Sequence, residues 1–244
     1  MDRKEGFPAT FALMATTAAD KVALRISGGC KGMGPEDKEA MLKYFAAALT
    51  GYRGMVWSGA TRQFTKDGEL DPMVTDIPGV IAAENPACVA LGTAPRTEIM
   101  RLVGDSRLVL DGYGTGPNPS MSGILIVQNG ADGKSDWDGD LDAAFGLMDN
   151  LVDCANFRRA GVIAWNGGPI TKDEIMRSAK RKWPTIVIRG SGRAADEISA
   201  QLDANDPALM NELPKNHNLV VADRSDSATL RIALQAFGFL TPVS

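Results

Sequence analysis

Along the 244-residue chain, short apolar runs rich in β-branched residues alternate with segments whose apolar positions recur every three to four residues. The runs are Val22–Ile26, Met55–Trp57, Cys88–Leu91, Leu108–Leu110 or Ile124–Val127, Gly161–Trp165, Thr185–Ile188 and Leu219–Val221. Such runs interleaved with helical segments are the pattern of a parallel sheet with helices on both faces. Pro35–Leu49 predicts the clearest helix, with proline at the first helical position and Glu36 and Asp37 in the first turn. Its apolar face carries Met41, Leu42, Phe45 and Leu49. Leu141–Phe157, Thr171–Lys182, Ser191–Leu202 and Ser227–Phe239 read as further helices. Gly112–Gly123 is dense in glycine and proline, fits neither a helix nor a central strand, and reads as a loop over a site. No internal repeat or linker-like shift divides the chain. The expectation is an N-terminal arm, residues 1–20, then one α/β domain over 21–244, its doubly wound, mostly parallel sheet holding six or seven strands.

Composition changes that picture in one respect. Glycine supplies 26 of the 244 residues, against roughly 7% in an average protein, and the surplus is not periodic. Charge and cysteine exclude more than they suggest. A net charge of -4 and a pI near 5.1 offer no basic stripe for nucleic acid or an anionic membrane, so neither is expected as a partner. Cys30, Cys88 and Cys154 are widely spaced and odd in number, which argues against a disulfide framework and a zinc site and makes the cytoplasm the expected compartment. His217, the sole histidine, reads as a loop residue before a strand. Phe7–Ala19 imitates a signal peptide, but Asp2 and Glu5 cancel Arg3 and Lys4, and Pro8 interrupts the run. No stretch reaches the roughly 18 apolar residues of a membrane span.

Ligands of open α/β sheets bind beyond the carboxyl ends of the strands, and these ends carry the glycines. The turns are Ser27-Gly28-Gly29-Cys30-Lys31-Gly32-Met33-Gly34, Ser58-Gly59-Ala60-Thr61, Gln128-Asn129-Gly130, Asn166-Gly167-Gly168 and Arg189-Gly190-Ser191-Gly192-Arg193. Backbone amides with no Cβ in the way approach a phosphate closely, and a following helix N-terminus adds partial positive charge. Each turn has a plainer reading, since strand-to-helix turns use glycine for positive φ whatever they bind. Neither G-x-G-x-x-G nor a Walker sequence is present, because Gly32 follows Lys31 where a P-loop has Ser or Thr.

The order of these turns, together with Ile126-Val-Gln-Asn-Gly-Ala-Asp-Gly-Lys134, resembles the SLOG superfamily, most of all its LSDAT branch, shared by prokaryotic proteins and the cytosolic N-terminal region of TRPM channels. Gly190-Ser-Gly-Arg-Ala-Ala-Asp196 after a strand is the most specific element, and the resemblance spans roughly Val22 to Leu202. It implies a Rossmann-like fold that binds a nucleotide-derived ligand such as ADP-ribose, with no further cofactor. On that reading the ligand is held by Gly28, Gly29, Cys30, Lys31 and Gly32, by Ser58, Gly59, Ala60, Thr61 and Arg62, and by Asn129, Gly130 and Lys134. It is held also by Asn166, Gly167, Gly168, Pro169 and Thr171, and by Gly190, Ser191, Gly192 and Arg193. Self-association is compatible with such a family, although the sequence marks no interface. Where the family has Gly-Gly-Thr-x-x-Gly-Val-Met, this chain has Ser58-Gly-Ala-Thr61 and then Arg62-Gln-Phe-Thr-Lys66.

Asn166-Gly-Gly-Pro-Ile-Thr-Lys-Asp-Glu174 is in turn similar to the P-G-G-x-G-T-x-x-E motif of the LOG phosphoribohydrolases, whose glutamate takes part in cleaving the N-glycosidic bond of a nucleotide. The resemblance thus makes Glu174 a catalytic candidate; local chemistry instead makes Thr171-x-x-Glu174 a helix capping box. Arg193 in a first helical turn calls for a ligand phosphate or a carboxylate such as Asp196. Trp57 and Trp165 either stack on a base or fill the core. Asp132, Asp136, Asp138, Asp140 and Asp142 lack an EF-hand's glycine and closing glutamate, and no metal is expected there. Cys30 beside a helix start could have a lowered pKa, but no base neighbours it in the sequence. Two functions follow: a sensor of a nucleotide-derived small molecule, or a nucleoside-monophosphate glycosidase using Glu174.

Overall fold

The computed structural model describes residues 16–65, 67–95, 115–117, 121–127 and 137–241. Seven strands form one parallel sheet: β1 (Val22–Gly29), β2 (Met55–Gly59), β5 (Val89–Pro95), β7 (Gly123–Val127), β8 (Arg159–Asn166), β9 (Thr185–Arg189) and β10 (Leu219–Asp223). Their order is β10-β9-β8-β1-β2-β5-β7, and every pairing is parallel. The helices are α1 (Pro35–Ala48), α2 (Ile77–Glu84), α3 (Trp137–Cys154), α4 (Pro169–Lys180), α5 (Arg193–Asp203), α6 (Pro207–Glu212) and α7 (Ser227–Ala236). This is the doubly wound, Rossmann-like architecture.

Side-chain alternation along the strands assigns the helices to two layers. Val22, Leu24 and Ile26 of β1 join Met41 and Phe45 of α1, Ile77 and Ile81 of α2, and Leu230 and Leu234 of α7 in one buried cluster. Ala23, one position out of phase, packs with Leu147 and Leu151 of α3 on the opposite face. Further along that face, Ala164 and Val187 meet Ile175 of α4 and Ile198 of α5. Arg25 and Ser27 continue the Ala23 row, where apolar packing would place an aliphatic residue.

The chain leaves β1 for β2, β5 and β7, then crosses back to lay β8 on the other side of β1. The β1/β8 pair is therefore the topological switch point, where connections depart in opposite directions and a crevice opens beyond the strand ends. Gly28 makes that junction close. Its φ is +153°, and a Cβ there would lie 2.1 Å from the Trp165 carbonyl oxygen.

Three features depart from expectation. The Ser58–Thr61 turn enters no helix; the chain runs into β3 (Thr61–Phe64), which pairs antiparallel with β4 (Leu70–Asp71) and β6 (Thr115–Pro117) in a small second sheet. Part of the glycine-rich Gly112–Gly123 stretch is thus an edge strand of that sheet, compatible with Pro117 at its end. Helix α2 and the short α6 lie between the segments read as regular. Leu108–Leu110 lies outside the described residues, and Ile124–Val127 belongs to β7. None of the described helices is long and apolar enough to cross a membrane.

Candidate switch-point crevice

The crevice beyond β1 and β8 measures about 280 Å³. Its walls come from Gly28 and Gly29 at the end of β1, Ser58 and Gly59 at the end of β2, Thr61 just beyond, and Gly167, Gly168 and Pro169 at the start of α4. Helix α4 starts with Gly168 as N-cap and Pro169 in its first turn, and no side chain among the described residues caps it. Its first amides therefore retain the donor capacity of an uncapped helix start. Gly167 permits the approach of turn to helix: at φ +79°, its Cβ would meet Thr171 Oγ1 at 2.2 Å.

Arg25 and Glu174 form the floor. Arg25 Nε donates to Glu174 Oε1 at 2.7 Å, and Nη2 lies 2.5 Å from the same oxygen. The side chains are only 7% and 3% exposed. Burial pushes the Glu174 carboxyl above the usual glutamate range; the Arg25 guanidinium opposes that push, while Asp140 and Asp173 reinforce it. Asp140, buried in the first turn of α3, also lines the crevice. The capping-box reading of Thr171-x-x-Glu174 is accordingly corrected. The helix begins two residues before Thr171, and the glutamate is engaged by a strand residue, so its carboxylate does not turn back to a cap.

The structure brings ten of the sequence-selected residues into this one crevice: Gly28, Gly29, Ser58, Gly59, Thr61, Gly167, Gly168, Pro169, Thr171 and Glu174. Others take different places. Ala60 is buried against Ala94, and its N–H donates to the Thr93 carbonyl at 2.8 Å. Cys30 and Lys31 border a separate hollow with Lys38, Gln63, Asp71 and Met73. Burial pushes the Cys30 thiol up to about 11, against the lowered value a helix start suggested. Gly32 sits at φ +86° with open space around its α-carbon. Asn166 is a buried framework residue: its N–H donates to Ser191 Oγ at 2.8 Å and its Nδ2 to the Lys31 carbonyl at 3.3 Å. Asn129, Gly130 and Lys134 lie outside the described residues, as does the side chain of Arg62.

At the neighbouring strand end, Ser191 Oγ donates to the Ile188 carbonyl and Asp196 Oδ1 accepts from Gly190 N–H at 2.6 Å. Asp196 thus fastens its own turn and is not the partner of Arg193. Arg193 is exposed, with φ +42°, and borders a second hollow of about 440 Å³ with Lys172, Ala194 and Glu197. Lys172 there is paired with Glu197 at 2.6 Å. The two hollows share Gly167, Gly168 and Pro169. Trp57 and Trp165 line neither hollow. Trp57 is packed in the core, and Trp165 packs at a tilt against Tyr44 and Phe45 and beneath the Arg224 guanidinium.

Arg25, Ser27, Asp140 and Ile170 also line the crevice; the sequence places Ser27 and Ile170 within the glycine turns and Asp140 in the acidic cluster, but marks none of the four as a ligand-binding residue. A signal existed for the first. An arginine inside the apolar strand Val22–Ile26 must find a buried partner, and one carboxylate was already under suspicion.

A doubly wound fold with glycine turns and a charged pair at its switch point defines a Rossmann-like protein with a preformed crevice. The chain belongs to the family described as SLOG in TRPM, prokaryote, whose model matches residues 91–230. The match includes the Asn166 and Gly190 turns and leaves the two earlier glycine turns outside it. Among solved structures, TM1055 is similar over 89% of this chain and 99% of its own, at 16% identity and a TM-score of 0.52. The molybdenum cofactor carrier protein MCP from Chlamydomonas reinhardtii aligns over 88% of this chain and 96% of its own, at 14% identity and a TM-score of 0.48. A search of curated proteins finds no match.

Proposed function

We propose that the crevice binds a phosphorylated, nucleotide-derived small molecule of the ADP-ribose type and that the protein acts as a ligand-responsive module. The observation that carries this reading is the convergence of three glycine turns and the uncapped start of α4 on one switch-point crevice. Size supports an extended ligand. A volume of about 280 Å³ suits a sugar phosphate, whereas the adjoining 440 Å³ across the Gly167–Pro169 ridge gives room for a second phosphate and a further nucleoside. Arg193, at the rim of that second hollow and in no ion pair among the described residues, supplies a cation for the outer phosphate. Calorimetric titration with ADP-ribose, cyclic ADP-ribose, NAD and AMP tests the reading; saturable binding of one or more supports it, and absence of binding by all four overturns it.

The position of Glu174 favours a second reading, a nucleoside-monophosphate glycosidase. A buried carboxyl of raised pKa that faces a sugar-sized crevice can stabilise an oxocarbenium-like sugar or exchange a proton there. Base release from AMP and related nucleotides, compared between the native protein and Glu174→Gln, separates the two. Turnover abolished by the substitution supports the enzyme, and no turnover by the native protein removes it.

A further inference from the structure

Resting on the crevice reading above, a second property emerges at the mouth of the crevice. Among the described residues, the exposed large apolar side chains are Ile126, Ile170 and Ile232. Ile126 in β7 and Ile232 in α7 border neither hollow, and isolated surface residues of this kind are ordinary. Ile170 differs. It is 52% exposed and lines the crevice, as do the exposed Pro169 before it and, from α3, Leu141. Two turns further along α4, Arg177 pairs with Asp142, the chain neighbour of Leu141, so the two helices are tied at this edge without a ligand. The P-G-G-x-G-T-x-x-E motif has glycine where Ile170 stands, so this apolar edge is a feature of the present chain.

We propose that Pro169, Ile170 and Leu141 form an apolar ledge that seats the base of the ligand and reads it by its face, not by its edge. The chemistry of the three residues selects this group. Leu141 and Ile170 present hydrocarbon, and Pro169 has no N–H to donate. A phosphate or a sugar laid there would exchange water for groups that cannot bond it. Of the parts of a nucleotide-derived ligand, the base alone has broad apolar faces. Covering Ile170 and Pro169 with such a face removes apolar surface from water, whatever polar groups the ring carries at its edge. The ledge therefore separates ligands with a base from those without one and discriminates little between one purine and another.

Ile170 offers a clean test, since a half-exposed side chain contributes little to the core. The affinities of AMP, GMP and ribose 5-phosphate are measured by calorimetry on the native protein, on Ile170→Ala and on Ile170→Phe, which keeps an apolar face. The native protein should bind AMP at least about threefold more tightly than ribose 5-phosphate, and AMP and GMP within about fivefold of each other. Ile170→Ala should lower the AMP preference at least about twofold through AMP alone, and Ile170→Phe should retain it. Four results overturn the ledge while leaving the crevice reading intact: a smaller native preference, a wider gap between AMP and GMP, a preference unchanged in Ile170→Ala, or equal loss of both ligands in that variant. An Ile170→Ala protein that sediments as a smaller species with its AMP preference unchanged gives the residue to a contact between copies of the chain and overturns the ledge as well. Failure of the native protein to bind any of these compounds or ADP-ribose overturns the ledge and the crevice reading together.

Discussion

Arg25 in the middle of β1 and Glu174 in α4, 149 positions apart in sequence, meet at 2.5 Å in the interior of the switch point. The pair ties the first strand to the helix that follows β8 and sets a charged floor where the sheet would otherwise be apolar. Desolvation makes such a pair a poor source of stability, yet the loss of one member strands the other's charge. Arg25→Met or Glu174→Leu alone should destabilise the fold by about 3–5 kcal/mol in urea unfolding, while the double replacement should recover most of that loss.

The same carboxyl gives a pH dependence of defined sign. Burial raises the folded-state pKa of Glu174 above its ordinary 4.5. Between those two values the folded state keeps a proton that the unfolded chain releases, so stability falls as pH rises through the window. The stability of the native protein relative to Glu174→Gln should therefore be flat below about pH 4.5 and decline above it. Urea unfolding of both proteins from pH 4 to pH 8 reads this directly.

Two glycines of the first turn should behave differently. Gly28→Ala drives a Cβ to 2.1 Å from the Trp165 carbonyl oxygen, whereas the Cβ of Gly32→Ala meets nothing and suffers only its φ of +86°. Losses of about 3 kcal/mol or more for the first and about 1 kcal/mol for the second are expected from thermal unfolding.

Cys30 and Cys88 should be poor nucleophiles in the folded protein. Burial pushes their thiols up to about 11 and about 12, which leaves little thiolate at pH 8. Iodoacetamide labelling followed by peptide mapping should find both sites modified slowly in the native state and rapidly in guanidinium. Fast native labelling of Cys30 would restore the reactive-turn reading.

Strand and helix periodicity made the seven-stranded frame legible, because parallel strands buried on both faces stand out as apolar runs. The small sheet did not show itself. Its strands at Thr61–Phe64, Leu70–Asp71 and Thr115–Pro117 are short and polar, and tertiary pairing decides them rather than local preference. Glycine turns located the crevice walls for the same reason they were noticed, namely backbone positions a Cβ would obstruct. The floor was half legible. Glu174 was singled out through a motif, but its competing role as a cap could be settled only by seeing Arg25, a residue whose significance depends on a contact no local pattern encodes.

The most direct test of a ligand crevice at the β1/β8 switch point is amide chemical-shift mapping by NMR during titration with ADP-ribose. The account predicts saturable shifts concentrated at Gly28, Gly29, Gly59, Gly167 and Gly168, with little change in α6 or β10. No shifts at saturating ligand, or shifts confined to residues away from these turns, would contradict it.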